Sequence, residues 1–227
     1  MPGTKPCGAI SHWSISSGFH SLCSKFFSAG ADLNTFASGD KAAALDMISA
    51  FGQAFETLAN TPLVTVAALN GYAMGGGLEC ALACDIRFTS ESAKFGAIFI
   101  TLGVSSCDMG TSYLLPKIVG ISRAAELMLT GRKFDAEEAR AIGLVQDVVD
   151  DGDVVERALQ TARQIAANSP MAVWMTKETL WKNVDAPSFR HALDMENRTQ
   201  VMCTFSGELL NAFEAFVHKT TPTWKDL

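Results

Sequence analysis

Three consecutive glycines, Gly75-Gly76-Gly77, divide a strand-like run from a helix-like one, and no other feature constrains the chain as much. The run before them, Leu63-Val64-Thr65-Val66-Ala67-Ala68-Leu69, reads as a buried strand, and Asn70-Gly71 turns it. The glycines then open a helix expected to reach Cys84, and Asp85-Ile86-Arg87-Phe88-Thr89 reads as the next strand. Alternating buried strands and helices indicate an α/β core. Only Glu79 is charged between residues 63 and 84. The glycines still interrupt the stretch, and a membrane span needs about 20 continuous apolar residues, so no span is expected.

The flanking sequence extends this reading. Leu45, Ile48, Phe51, Phe55 and Leu58 recur at helical spacing and predict a helix over 42–58, stopped by Asn60-Thr61-Pro62. A compact helix is predicted over 122–129, ending at Thr130-Gly131, and Asp135 starts another as an N-cap. Residues 153–167 are amphipathic, and 171–218 read as two or three helices broken near Asp185-Ala186-Pro187 and Ser206-Gly207. The expected organisation is an α/β core over 26–168 and a helical region over 169–227.

Residues 1–25 read differently. They hold six serines, no Asp, Glu or Arg, and no hydrophobic period, so a disordered or unrelated segment is expected. Organelle transit peptides are Arg-rich, which this stretch is not. Cys7, His12, His20 and Cys23 match no standard zinc spacing, and a plain tail is the simpler reading. Cys80, Cys84 and Cys107 sit among apolar residues and are expected to be reduced core residues of an intracellular protein. The 18 Lys and Arg against 24 Asp and Glu, a net charge of −6, leave no basic stripe for nucleic acid.

The chemistry centres on the glycines. Neither Gly75-Gly76-Gly77 nor Ser28-Ala29-Gly30-Ala31-Asp32 carries the Gly-Lys-Ser/Thr of a phosphate loop or a dinucleotide fingerprint. A strand–glycine–helix junction does expose backbone N–H groups that can hold a developing oxyanion. Close helix-on-sheet packing explains the same glycines equally well. Glu79 lies in the first turn of that helix, either as a carboxylate stabilised by the helix terminus or as a partly buried acid/base beside the donors.

The strings Phe27-Ser28-Ala29-Gly30-Ala31-Asp32-Leu33, Asn70-Gly71-Tyr72-Ala73-Met74-Gly75-Gly76-Gly77-Leu78-Glu79 and Ala83-Cys84-Asp85-Ile86-Arg87 resemble the crotonase family, the enoyl-CoA hydratases, isomerases and relatives. Leu129-Thr130-Gly131-Arg132, Ser169-Pro170 and Ala215-Phe216-Val217-His218-Lys219 continue the likeness, which covers about 26–224. The resemblance implies the crotonase-like (ClpP/crotonase) spiral of ββα units with a C-terminal helical trimerisation region. It also implies a homotrimer or hexamer acting on an acyl-CoA, with CoA part of the substrate and no metal or other cofactor. The backbone N–H groups of Ala31 and Gly76 would form the oxyanion hole, and Glu79 would be a catalytic carboxylate. Ala29, Asp32 and Leu33 would line the CoA path, while Phe216 and Lys219 would help hold the nucleotide end. Mitochondrial residence in fatty-acid β-oxidation is the family expectation.

Two departures shape the expected reaction. Hydratases of this family place a second glutamate twenty residues after the first, in a Phe-Gly-x-Pro-Glu context. Here the stretch is Phe95-Gly96-Ala97-Ile98-Phe99, so Phe99 stands there, and by the resemblance it would line the acyl-CoA path. Losing that general acid–base help costs typically about 10²–10⁴-fold, which favours proton-shuttling isomerisation over hydration. Asp108 resembles the additional aspartate of dienoyl-CoA isomerases with the register off by one, and an N-cap for the following helix is its other reading. The second departure is the Ser-rich start, where relatives carry a strand, a helix and a strand. A truncated or variant chain with a bared sheet edge, or a non-catalytic acyl-CoA-binding subunit, is the alternative expectation.

Overall fold

The computed structural model describes residues 18–19, 25–30 and 40–225. They divide into two compact units, residues 62–64 and 161–225 forming the second and the remainder the first. Residues Cys7, His12, His20 and Cys23, and with them most of 1–25, lie outside the described residues, as do Ala31, Asp32 and Leu33.

The first unit is built on two four-stranded sheets between which the first six strands alternate. Strands β1 (Gly18–Phe19), β3 (Val66–Leu69), β5 (Ile86–Ser90) and β8 (Asp147–Val149) form one sheet in that order, parallel throughout. Strands β2 (Phe26–Ser28), β4 (Tyr72–Met74), β6 (Lys94–Gly96) and β7 (Phe134–Asp135) form the other, with only β7 antiparallel. The pairs β1–β2, β3–β4 and β5–β6 thus each contribute one strand to each sheet before a helix, the ββα spiral expected from the sequence. β1 comes from the Ser-rich stretch and pairs beside β3, Gly18 opposite Val66.

Local chemistry accounts for the helix limits. Helix α1 (Lys41–Asn60) is capped by Asp40, whose carboxylate accepts from the Ala42 and Ala43 amides at 3.0 and 3.1 Å. Its expected apolar face is half-buried at Ile48, Phe51, Phe55 and Leu58, while Leu45 is exposed. β3 starts at Val66 rather than Leu63 because the Thr65 amide and hydroxyl donate instead to Asp85 Oδ2, at 2.8 and 3.0 Å. Helix α2 (Gly76–Leu82) also stops short of Cys84. The buried Arg87 guanidinium, 4% exposed, takes the carbonyls of Ala81 and Cys84 at 3.3 and 2.5 Å and that of Leu144 at 2.7 Å. A cation on the final carbonyls satisfies otherwise orphaned acceptors and complements the helix dipole.

After a 3₁₀ turn (Ile98–Leu102) come helices α3 (Thr111–Val119), α4 (Ile121–Thr130) and α5 (Ala136–Ala141). α4 ends at Gly131, whose φ of +61° suits glycine, and α5 begins with Asp135 accepting from the Glu138 amide at 2.9 Å, as expected. Helix α6 (Val154–Ala166) lays Val154 and Ala158 on Val66, Ala68 and Phe88, closing one face of the first sheet. Cys84 is buried and Cys80 half-buried, neither in a disulfide, but Cys107 is exposed on the loop before α3, which corrects its reading as a core residue.

The second unit carries helices α7 (Pro170–Val184), α8 (Phe189–Phe205) and α9 (Glu208–His218). Ser169 and Ser188 cap the first two, with Pro170 at the first turn of α7. Lys177 donates to the Leu63 carbonyl at 2.7 Å, and the Trp224 indole to that of Ala167 at 2.8 Å. Among the described residues no helix is long and apolar enough to cross a membrane.

Candidate active site

Glu79 is fixed by the backbone before it acts as a side chain. Gly75 precedes α2 with φ +51° and ψ −122°, a conformation open to glycine, and its amide donates to the Gly96 carbonyl at 3.0 Å. A Cβ at Gly77 would fall 2.1 Å from the Ser28 carbonyl oxygen, so only glycine lets α2 seat against β2. The close-packing reading of the glycines is therefore correct. It does not displace the chemical one, because Gly76 stands at the first helical position, where an N–H has no intrahelical acceptor. Gly30, with φ +88°, is beside it: a Cβ there would come within 3.0 Å of the Gly76 nitrogen.

One helical turn on, Glu79 is 2% exposed. Its Oε1 accepts from the Thr111 hydroxyl at 2.8 Å, and Oε2 is buried with no hydrogen-bond partner among the described residues. Removal from water pushes its carboxyl from 4.5 up to about 8; the Thr111 hydrogen bond opposes this and the Asp108 charge adds to it. A buried carboxyl balanced near neutral pH with one free oxygen can both release and take up a proton.

Asp108 does bear on Glu79 through its charge, but it is no N-cap. The N-cap of α3 is Gly110, at φ +96°, with no side-chain bond, while Asp108 Oδ1 accepts from the Met109 amide at 2.9 Å. Met109 itself is left-handed, with φ +45°. Phe99, half-buried in the 3₁₀ turn, lies with its ring on the Gly75 backbone; a Cβ at Gly75 would meet Phe99 Cζ at 3.1 Å. An aromatic ring thus covers the helix start.

Of the other expected residues, Ala29 is exposed beside Gly30. Phe216 is exposed on α9, and Lys219 ends that helix left-handed, with φ +53°, both in the second unit. The sequence reading missed Thr111. It lies 32 residues from Glu79, and no local pattern links a helix-opening threonine to a distant carboxylate.

The sequence pattern of the family described as enoyl-CoA hydratase/isomerase matches residues 19–227. The chain belongs to that family, the crotonases. Its similarity to the 2,3-dehydroadipyl-CoA hydratase of Escherichia coli K12 is 37% identity over 205 residues, covering 88% of this chain and 77% of that one. It is 45% identical over 136 residues to a probable enoyl-CoA hydratase, EchA12, of Mycobacterium tuberculosis, covering 60% of this chain and 48% of that protein. The chain thus spans about half the length of such mycobacterial relatives. Among solved structures, the Bacillus anthracis enoyl-CoA hydratase superposes with a TM-score of 0.89 at 34% identity, covering 92% of this chain and 81% of that one. DspI of Pseudomonas aeruginosa gives 0.87 at 40%, covering 92% and 79%. These likenesses establish the crotonase fold.

Proposed function

We propose that the chain is an enzyme that moves a proton along enoyl-CoA thioesters through an enolate, with Glu79 as the acid/base. The observation that carries this reading is the Glu79 carboxyl, buried, raised to about 8 and left with one free oxygen beside the start of α2. In the proposed reaction the thioester oxygen receives the backbone N–H groups of Gly76 and Ala31 as it gains negative charge, worth about 3 kcal/mol per donor in comparable holes. Glu79 removes the proton at Cα and returns it further along the chain. Asp108 assists by holding the Glu79 proton in place through its charge. The chemistry asks for no metal or redox cofactor, CoA being part of the substrate.

Isomerisation is proposed over hydration because the Phe99 ring covers Gly75 where a second carboxylate would activate water. Ala29, Asp32, Leu33 and Phe99 are proposed to line the acyl-CoA path, and Phe216 and Lys219 to hold the nucleotide end of CoA bound by a neighbouring subunit. Phe189, Phe205, Leu209, Leu210, Phe213 and Phe216 are exposed in the second unit, and exposed apolar residues in such number support assembly into a trimer or hexamer. A place in fatty-acid β-oxidation, and in mitochondria, belongs to the same proposal; curated relatives include the human enzyme named mitochondrial methylglutaconyl-CoA hydratase. The hydratase names of the relatives weigh against a non-catalytic subunit.

The test is a product analysis with 3-enoyl-CoA and 2-enoyl-CoA of equal length. Conversion of the first to the second should outrun addition of water to the second. Faster hydration would overturn the isomerase preference, and inertness towards both would overturn the enzyme reading.

A further inference from the structure

Thr111 opens α3 with its side chain 1% exposed. Its amide donates to the Asp108 carbonyl at 2.8 Å, and its hydroxyl proton is directed to Glu79 Oε1, also at 2.8 Å. A threonine hydroxyl has one proton to give. Once Oε1 accepts it, a proton carried by Glu79 resides on the other oxygen, Oε2, which is buried and unpartnered among the described residues. We propose that Thr111 is a positioning residue that reserves Glu79 Oε1 as an acceptor and thereby makes Oε2 the atom that exchanges a proton with the acyl chain.

This inference rests on the acid/base role proposed for Glu79. In the abstraction step a C–H bond at Cα breaks and its proton bonds to Oε2. The electron pair passes into the dienolate, with charge on the thioester oxygen. On return, the Oε2–H bond breaks, the proton bonds to Cγ, and the carbonyl reforms as the electron pair moves back. Thr111 neither gains nor loses a proton in either step. The hydroxyl also sets when Oε2 is charged, since its hydrogen bond lowers the Glu79 pKa against burial. Of the elements packed on α2, β2 brings no ionisable side chain and β4 brings Tyr72, whose ring lies against Phe26. Helix α3 brings Tyr113 and Lys117, the ammonium sitting over the phenol ring. On α2 itself Cys80 is the other titratable residue, and Asp108 faces Glu79 from the loop before α3.

The experiment compares the full chain with Thr111→Val, Thr111→Ala and Thr111→Ser. Losing the hydroxyl should lower kcat about tenfold and leave KM within about twofold. It should also move the Glu79 ionisation in the pH–rate profile upward, and serine should restore both. The infrared carbonyl band of protonated Glu79, assigned by its loss in Glu79→Gln, should rise in frequency in Thr111→Val and Thr111→Ala. An unshifted band and an unchanged ionisation in either variant would overturn the proposal, as would a serine variant that behaves like valine. The alanine variant serves should valine fail to fold. The infrared readout needs no turnover, so a shifted band in a chain that converts no enoyl-CoA refutes the proposed reaction while leaving the proton on Oε2.

Discussion

Glutamine at position 79 should flatten the dependence of stability on pH. In the folded chain the Glu79 carboxyl ionises at about 8 instead of 4.5, with burial as the main cause. Below the unfolded value both states hold the proton and the native state carries no penalty. As pH rises towards the folded value the unfolded chain releases its proton while the folded chain keeps it, so stability falls, and above that value the loss levels off. Integrated from about pH 5 to pH 8, this amounts to a loss of about 3 kcal/mol, at about 1.4 kcal/mol per pH unit over most of the range. Other shifted groups titrate outside that window. Arg132 hydrogen bonds hold Glu126 and Glu138 below their ordinary values, the Ser92 amide does the same for Asp151, and burial pushes the Cys84 thiol up to about 12. Glutamine preserves the shape and an acceptor for Thr111 and cannot ionise. Urea unfolding at half-unit steps should therefore show a sloping wild-type curve and a Glu79→Gln curve flat by comparison, apart from a constant offset. Parallel curves would mean that the folded carboxyl ionises normally, and the proton inventory of the site would be wrong.

Other substitutions test separate links. Gly77→Ala forces a Cβ to within 2.1 Å of the Ser28 carbonyl oxygen and should cost about 3 kcal/mol or more in urea unfolding. Arg87→Met strands the carbonyls of Ala81, Cys84 and Leu144 and should cost about 3 kcal/mol, whereas Arg132→Ala, which removes ion pairs to Glu126 and Glu138 near the surface, should cost clearly less in the same assay. Phe99→Glu restores a carboxylate over Gly75 and should raise the ratio of hydrated to isomerised product by about 10²-fold, read by NMR of the product mixture.

The glycines and Glu79 were legible in the sequence because both signals are local: a backbone conformation and a lone charge in an apolar run. The same holds for Asp135 and Gly131, whose capping roles depend on neighbours within one turn. What escaped the sequence comes from contacts distant along the chain. Thr111 reaches Glu79 across 32 residues, and Arg87 ends α2 early through the Ala81 and Cys84 carbonyls while also binding Leu144, 57 residues away. Asp108 looked like an N-cap by spacing, but the left-handed Met109-Gly110 pair shifts the helix start and leaves the cap to Gly110. Cys107 looked buried by composition, yet its loop is largely exposed.

The most direct measurement is NMR of a short enoyl-CoA incubated with the chain in heavy water, beside Glu79→Gln. The account predicts deuterium entering the acyl chain with the wild-type protein, with little added water, and entry lost with the glutamine variant. Equal deuterium entry in both would contradict Glu79 as the group that carries the proton.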